Sequence, residues 1–166
     1  MLPIDSLLIV AEDAHAQTGL GQVDDRSDGG IDTGIDIAID IGVAMDARMG
    51  EVYAARWRWQ RGQWQAQDAP RLCTPEALVA RWRADPPAWL AGSAWSVLGS
   101  RLALPGSPRL LPHEHDRGAA LLRLAVSAQA RGDGVDAAQA LPLYLRDKVA
   151  LTTAERDAVR AAAATT

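Results

Sequence analysis

Gly42-Val43-Ala44-Met45-Asp46-Ala47-Arg48-Met49-Gly50-Glu51-Val52-Tyr53-Ala54-Ala55-Arg56-Trp57-Arg58-Trp59 is the stretch that decides the fold. Val43–Asp46 predicts a short strand, Ala47–Gly50 a turn, and Glu51–Trp59 a second strand. Side chains alternate across a strand, so Tyr53, Ala55, Trp57 and Trp59 share one face. Val52, Ala54, Arg56 and Arg58 share the other, apolar at first and charged toward the end, as in a strand that leaves the core. Arg61-Gly62 turns the chain, and Gln63–Gln67 returns with Trp64 inward. Three strands joined by tight turns make an antiparallel meander.

Upstream, Asp5 to Gln17 reads as a helix, with Asp5 or Ser6 accepting from the free N–H groups at its start. Leu7, Val10, Ala11 and Ala14 form its apolar stripe, and Gly19 stops it. Residues 18–41 form an Asp/Ile-rich insertion or loop. Asp24, Asp25, Asp28, Gly29 and Gly30 cannot build a core, and the near-alternating Ile/Asp run up to Ile41 is either low-complexity or an extension of the first strand. A calcium-binding repeat needs several stacked copies, and barely one imperfect copy is present.

Downstream, Thr74 caps a helix with Pro75 at its first position and Leu78, Val79 and Trp82 as its stripe. Pro86-Pro87 prevents its continuation. Ala88–Gly92 predicts a buried strand followed by a short helix toward Arg101, and Arg109–Leu111 a further strand. Arg117–Arg131 is a strong helix stopped by Gly132. Leu141–Arg146 is extended, and residues 151–166 form an Ala-rich tail.

Composition bounds the function. The chain has 166 residues, which suits one domain, and 48% hydrophobic and 23% charged residues are ordinary for a globular protein. Its longest apolar runs fall far short of the roughly 20 residues that span a bilayer. No signal-peptide pattern opens it, so the cytoplasm is the default. The single cysteine, Cys73, excludes an internal disulfide. Phenylalanine is absent beside six tryptophans, and Lys148 is the only lysine. A net charge of −4 gives the molecule no electrostatic reason to hold tRNA by itself.

Helix, three meandering strands, then alternating helices and strands is the order of an α/β, ribonuclease-H-like lobe, the repeated half of the actin/Hsp70 (ASKHA) superfamily. Residues 42–150 carry it. Within it, Asp46-Ala47-Arg48-Met49-Gly50-Glu51-Val52-Tyr53 resembles the motif that opens the second lobe of TsaB (YeaZ-type) proteins. Pro142-Leu143-Tyr144-Leu145-Arg146, followed by Val149-Ala150, resembles that family's closing motif, and Trp89–Trp95 its strand leading into a glycine turn. Leu2-Pro3-Ile4 through Ala11 matches the start of the preceding helix, so the resemblance covers nearly all of residues 1–12 and 42–150. A first lobe opening with an Asp-Thr-Ser-type turn has no counterpart, which leads to the expectation of a misplaced gene start or a truncated product.

The resemblance implies a non-catalytic partner or scaffold subunit in tRNA N6-threonylcarbamoyladenosine synthesis. Such a subunit forms a heterodimer with the TsaD-type catalytic subunit. With a TsaE-type ATPase, the complex transfers threonylcarbamoyl to an adenosine of ANN-decoding tRNAs. In that family the contact with TsaD is made mainly by the first lobe. No cofactor or metal of its own is implied. The motif residues Asp46, Arg48, Gly50, Glu51, Tyr53, Tyr144 and Arg146 are the candidates for partner contact, with Tyr144 and Arg146 read as packing and capping the lobe.

Two alternatives stay open: a nucleotide- or metal-dependent actin-like enzyme fragment, and an inert folded fragment, as monomer or homodimer. Phosphate cradling needs glycines for close backbone approach, and Ala47, Arg48 and Met49 fill the turn before Gly50. His113 and His115 share a face if extended and could begin a metal site, but a third ligand is wanting, and Asp116 suits a cap for the helix at Arg117. Cys73 has no histidine near it in sequence, and no Gly-x-Ser-x-Gly elbow occurs. Tyr53, Trp57 and Trp59 could stack bases, but an alternating aromatic face on a central strand reads as core.

Overall fold

The computed structural model describes residues 1–20 and 38–146. Most of the 18–41 insertion and all of the 151–166 tail, with Val149-Ala150 of the closing motif, lie outside them. The elements are α1 (Ser6–Thr18), β1 (Ile39–Asp46), β2 (Val52–Gln60), β3 (Gln63–Cys73), α2 (Pro75–Trp82), β4 (Trp89–Ala91), α3 (Ala94–Leu98), β5 (Arg109–Leu111) and α4 (Arg117–Arg131), with 3₁₀ turns at Gly99–Leu102 and Ala137–Gln139. One five-stranded sheet runs in the order β3-β2-β1-β4-β5. β1, β2 and β3 pair antiparallel, while β4 adds parallel to β1 and β5 parallel to β4. The antiparallel meander followed by crossover strands is thus present.

Local chemistry starts and stops the helices as the sequence predicts. Asp5 Oδ1 accepts from the N–H groups of Leu7 and Leu8, at 2.7 and 3.2 Å. Gly19 closes α1 in the left-handed conformation, and Gly132 does the same for α4. Thr74 Oγ1 accepts from Ala77 N–H at 3.2 Å, with Pro75 behind it. Asp116 Oδ1 accepts from Ala119 N–H at 2.9 Å, the capping role expected of it.

β1 divides the interior. Ile39, Ile41 and Val43 face α1, joining Leu7, Val10, Ala11 and Ala14 with Ala55 and Trp57 of β2. Ala44 faces the other way, into a cluster of Val52, Ala54, Leu78, Trp82, Leu90, Ala94, Trp95 and Leu102. Each fully buried large side chain contributes roughly 1.5–3 kcal/mol relative to exposure. α4 lies against α1, and Arg123 Nε donates to Glu12 Oε1 at 2.6 Å.

Three details refine or differ from the sequence reading. Ile39, Asp40 and Ile41 are the first residues of β1, so the end of the Ile/Asp run is the strand extension, one of its two readings, although the sequence reading bounds the insertion at 41. Arg56, expected on a face emerging into solvent, is only 8% exposed. Its Nε donates to Asp40 Oδ1 and Oδ2 at 2.9 and 3.1 Å, and its Nη1 to Asp85 O at 2.7 Å. A buried guanidinium persists only with such a matched carboxylate. The third difference is β3, which runs to Cys73 rather than Gln67. β3 is an edge strand, where Pro70 costs no ladder bond, and the pairing shifts register around Arg56. The irregular stretch contains Asp68, 6% exposed, whose carboxylate accepts from Arg71, Arg81 and the Trp82 indole.

Candidate functional site

The turn between β1 and β2 is built from the residues that carry the opening motif. Asp46 Oδ1 accepts from the backbone N–H of Arg48 at 2.9 Å, a side-chain turn that helps hold Arg48 at φ 65°. Met49 and Gly50 follow at φ 55° and 75°, and Glu51 N–H donates to Arg48 O at 3.0 Å. Ala47 N–H donates to Glu51 O at 3.0 Å, so β1 and β2 close without a gap. Two successive non-glycine residues in the left-handed region are uncommon and strained. Behind the turn, Ser93 Oγ accepts from Asp46 N–H at 3.3 Å, tying the hairpin to the loop after β4.

The closing motif comes back to this hairpin. Arg146 Nη1 lies 2.6 Å from Glu51 Oε2, and Nη2 donates to Ala47 O at 3.0 Å. Hydrogen bonding to Tyr53, then to Glu51, raises the Arg146 pKa above its ordinary value. Of the seven motif residues, Glu51, Tyr53 and Arg146 therefore form one clamp, with Asp46, Arg48 and Gly50 in the turn beside it. Arg48 is 88% exposed at its side chain, with its guanidinium 3.6 Å from Asp46. Tyr144 does not pack as expected: it is 79% exposed. Its segment is extended and has no helix or strand to bury it. Next to the clamp, residues 1–7, Met45, Asp46, Tyr53 and residues 140–146 line a groove of about 1050 Å³.

The polar groups of this site are largely engaged with one another. The Asp46 carboxylate is engaged by Arg48, and the Arg48 and Met49 side chains occupy the place where a phosphate would need bare backbone. Among the described residues, no three of His, Cys, Asp and Glu come together as a metal site. His113 and His115 lie in a loop clasped by Asp13, which accepts from the N–H groups of His115 and Asp116 at 2.9 and 2.8 Å. Burial pushes the Cys73 thiol up, away from the thiolate a nucleophile needs, against the pull of Arg71.

A second concentration of polar and aromatic groups escaped the sequence reading. α1 turns Glu12 and His15 inward beside the stripe expected of it, 5% and 8% exposed. Glu12 Oε2 accepts from Trp64 Nε1 at 2.8 Å while its other oxygen binds Arg123. The His15 ring packs on Trp59 and Trp64, with centroids 4.9 and 5.6 Å away. Burial depresses the His15 pKa below 6.5; Glu12 and the Leu20 backbone oppose this, and Arg123 assists it. The available signal was the Trp59–Trp64 pair flanking Arg61-Gly62, which strand pairing sets directly across the hairpin.

The sheet order, the meander and the crossover units define a ribonuclease-H-like lobe of the actin-like superfamily. No family model matches the chain. It is 35% identical over 115 residues to the tRNA threonylcarbamoyladenosine biosynthesis protein TsaB of Escherichia coli, a match covering 65% of this chain and 48% of that protein. A crystal structure from Pseudomonas aeruginosa, described as an uncharacterized protein with similarity to peptidase YeaZ, superposes with a TM-score of 0.62 at 31% identity. It covers 86% of this chain and 57% of its own. YeaZ from Pseudomonas aeruginosa gives a TM-score of 0.61 at 31% identity with the same coverage. The chain is similar to the TsaB and YeaZ proteins and spans about half the length of the relatives it matches.

Proposed function

We propose that this chain is the second lobe of a TsaB-type subunit, a cytoplasmic, non-catalytic scaffold in tRNA N6-threonylcarbamoyladenosine synthesis. It supports a TsaD-type catalytic subunit, which works with a TsaE-type ATPase. The observation that carries this reading is the clamp. The two motifs on which the family resemblance rests lie far apart in sequence, yet Arg146 of one binds Glu51 and Ala47 of the other. A motif pair that serves to fix a surface hairpin suits a scaffold that presents a shaped surface. Cys73 held toward its thiol form and a turn filled with side chains support a role without chemistry of its own. Arg48 and Tyr144 are the exposed members of the set and the residues offered to a partner.

The test is retention of the chain by immobilised TsaD-type subunit from the same organism, beside a full-length TsaB relative. Because the family contact is made mainly by the first lobe, this chain is expected to be held about tenfold or more weakly than the full-length protein. Arg48→Glu should weaken the remaining binding by about fivefold to thirtyfold, the effect of losing one contact of 1–2 kcal/mol. Retention as tight as that of the full-length relative would move the principal contact into this lobe. No retention, together with no effect on modified tRNA in cells depleted of their own TsaB, would end the scaffold reading.

A further inference from the structure

Between α1, α4 and the β2–β3 hairpin lies a cavity of about 350 Å³ that the clamp and its motifs do not touch. That volume is within the range of small-molecule sites. One wall is aromatic: Trp59 and Trp64 face each other across the hairpin with centroids 5.3 Å apart, and His15 packs on both. Glu12 fixes this wall by accepting from the Trp64 indole and from Arg123.

Two lining side chains are left incomplete. His15 Nε2 and Trp57 Nε1 are buried and have no hydrogen-bond partner among the described residues. Trp57 differs in this from the other buried indoles: Trp82 donates to Asp68, and Trp95 to Ala91 O at 2.9 Å. Buried polar groups are nearly always paired, so two orphans beside one cavity ask for an explanation. Burial favours the neutral imidazole, and Nε2 is its unpaired ring nitrogen, an acceptor when Nδ1 carries the proton. Trp57 can only donate.

Charge narrows the occupant. Glu12 is already paired with Arg123, so an aromatic cage for a cation lacks a free carboxylate. Arg131, at the rim, is held by Asp133 at 2.7 Å and so offers little to an anion. What is left is an aromatic wall whose Trp59 and Trp64 rings tilt 56° to each other, one acceptor and one donor.

We propose that this cavity binds a neutral, planar nitrogen heterocycle of the purine and benzimidazole class, stacked on the Trp59–Trp64 wall. A ring N–H of the ligand donates to His15 Nε2, and a ring nitrogen accepts from Trp57 Nε1. Binding requires a turn of the two side chains that brings those buried atoms to the cavity surface. The cavity, its aromatic lining and the two unpaired atoms carry the inference, which is independent of any partner of the hairpin.

The test uses the whole chain, labelled with ¹⁵N in its tryptophan indoles, titrated at neutral pH with three near-isosteric probes. Benzimidazole has both the donor and the acceptor, indole lacks the acceptor, and 1-methylbenzimidazole lacks the donor. Benzimidazole is expected to bind saturably and to shift the Trp57 indole N–H signal, identified by its loss in Trp57→Phe. Indole and 1-methylbenzimidazole should each bind at least about fivefold more weakly, since each leaves one buried group unpaired. Ser127→Trp plugs the cavity from α4 without entering the core and should abolish the shift while leaving the far-ultraviolet spectrum unchanged. The proposal is overturned by absence of saturable binding up to millimolar benzimidazole. Equal affinity for all three probes, or binding that survives Ser127→Trp, would overturn it as well.

Discussion

Gly42 is confined to glycine by what leans on it. A Cβ there would stand 2.7 Å from Pro87 Cγ and 2.8 Å from Trp82 Cζ3, both rigid rings in the core. Gly42→Ala should therefore cost about 1–3 kcal/mol, the usual penalty for overpacking, read as a lowered thermal midpoint. Gly134→Ala is the control, because nothing lies within 4 Å of a Cβ at that position. The sequence shows the glycine opening the decisive stretch but not the tryptophan that reaches it from α2. His15 makes the second prediction at this scale. Its folded pKa lies below 6.5, mainly through burial, so the unfolded chain binds more protons as pH drops. Stability is thus full above about pH 6.5 and is lost as pH falls through the folded value. The groups facing it are Glu12, which opposes the shift, and Arg123, which adds to it. His15→Phe should flatten the fall in thermal midpoint between about pH 7 and pH 5.5. Nothing in the sequence marked His15 as buried, because helical spacing finds an apolar stripe and passes over a polar residue at its edge.

At the scale of the element, the β1–β2 hairpin carries its own strain. Met49 and Gly50 both have positive φ, and Glu51 N–H bonds Arg48 O, which makes a type I′ turn with methionine at its first central position. Asn-Gly is the pair that this turn favours. Met49→Asn should stabilise the protein by about 0.5–1 kcal/mol, since an L residue other than asparagine, aspartate or glycine pays more than that for the left-handed region. Met49 is largely exposed, so little packing is lost. Denaturant titration with an unchanged slope checks it. The turn itself was legible from Asp46, Gly50 and Glu51, and so were the caps Asp5, Thr74 and Asp116, because each rests on a local bond. The length of β3 was not, because a proline's tolerance depends on whether its strand lies at the edge, and strand order is a property of the sheet. The clamp was legible only as two separate motifs; that Arg146 reaches Glu51 is a matter of tertiary path.

At the scale of the whole molecule, the sheet is shared by two cores that cannot come apart independently. Ile39, Ile41 and Val43 of β1 bury against α1, and Ala44 of the same strand buries against α2 and α3. Losing either layer strips one face of β1 and exposes the backbone that also supports the other. The order of elements made the sheet legible in the sequence, while the assignment of helices to faces required the three-dimensional path. Tryptophans report on each side separately. Trp57, Trp59, Trp64 and Trp89 belong to the first layer, and Trp82 and Trp95 to the second. Replacing either set with phenylalanine leaves a probe confined to one face. Both probes, and the far-ultraviolet signal of the helices, should then report one transition with the same midpoint in each variant, as a two-state domain requires. A separation of the two fluorescence midpoints within one variant background would show that α1 and α4 form a unit that detaches first. In that case the strand β1, paired on both sides and common to both cores, is a weaker link than its burial indicates.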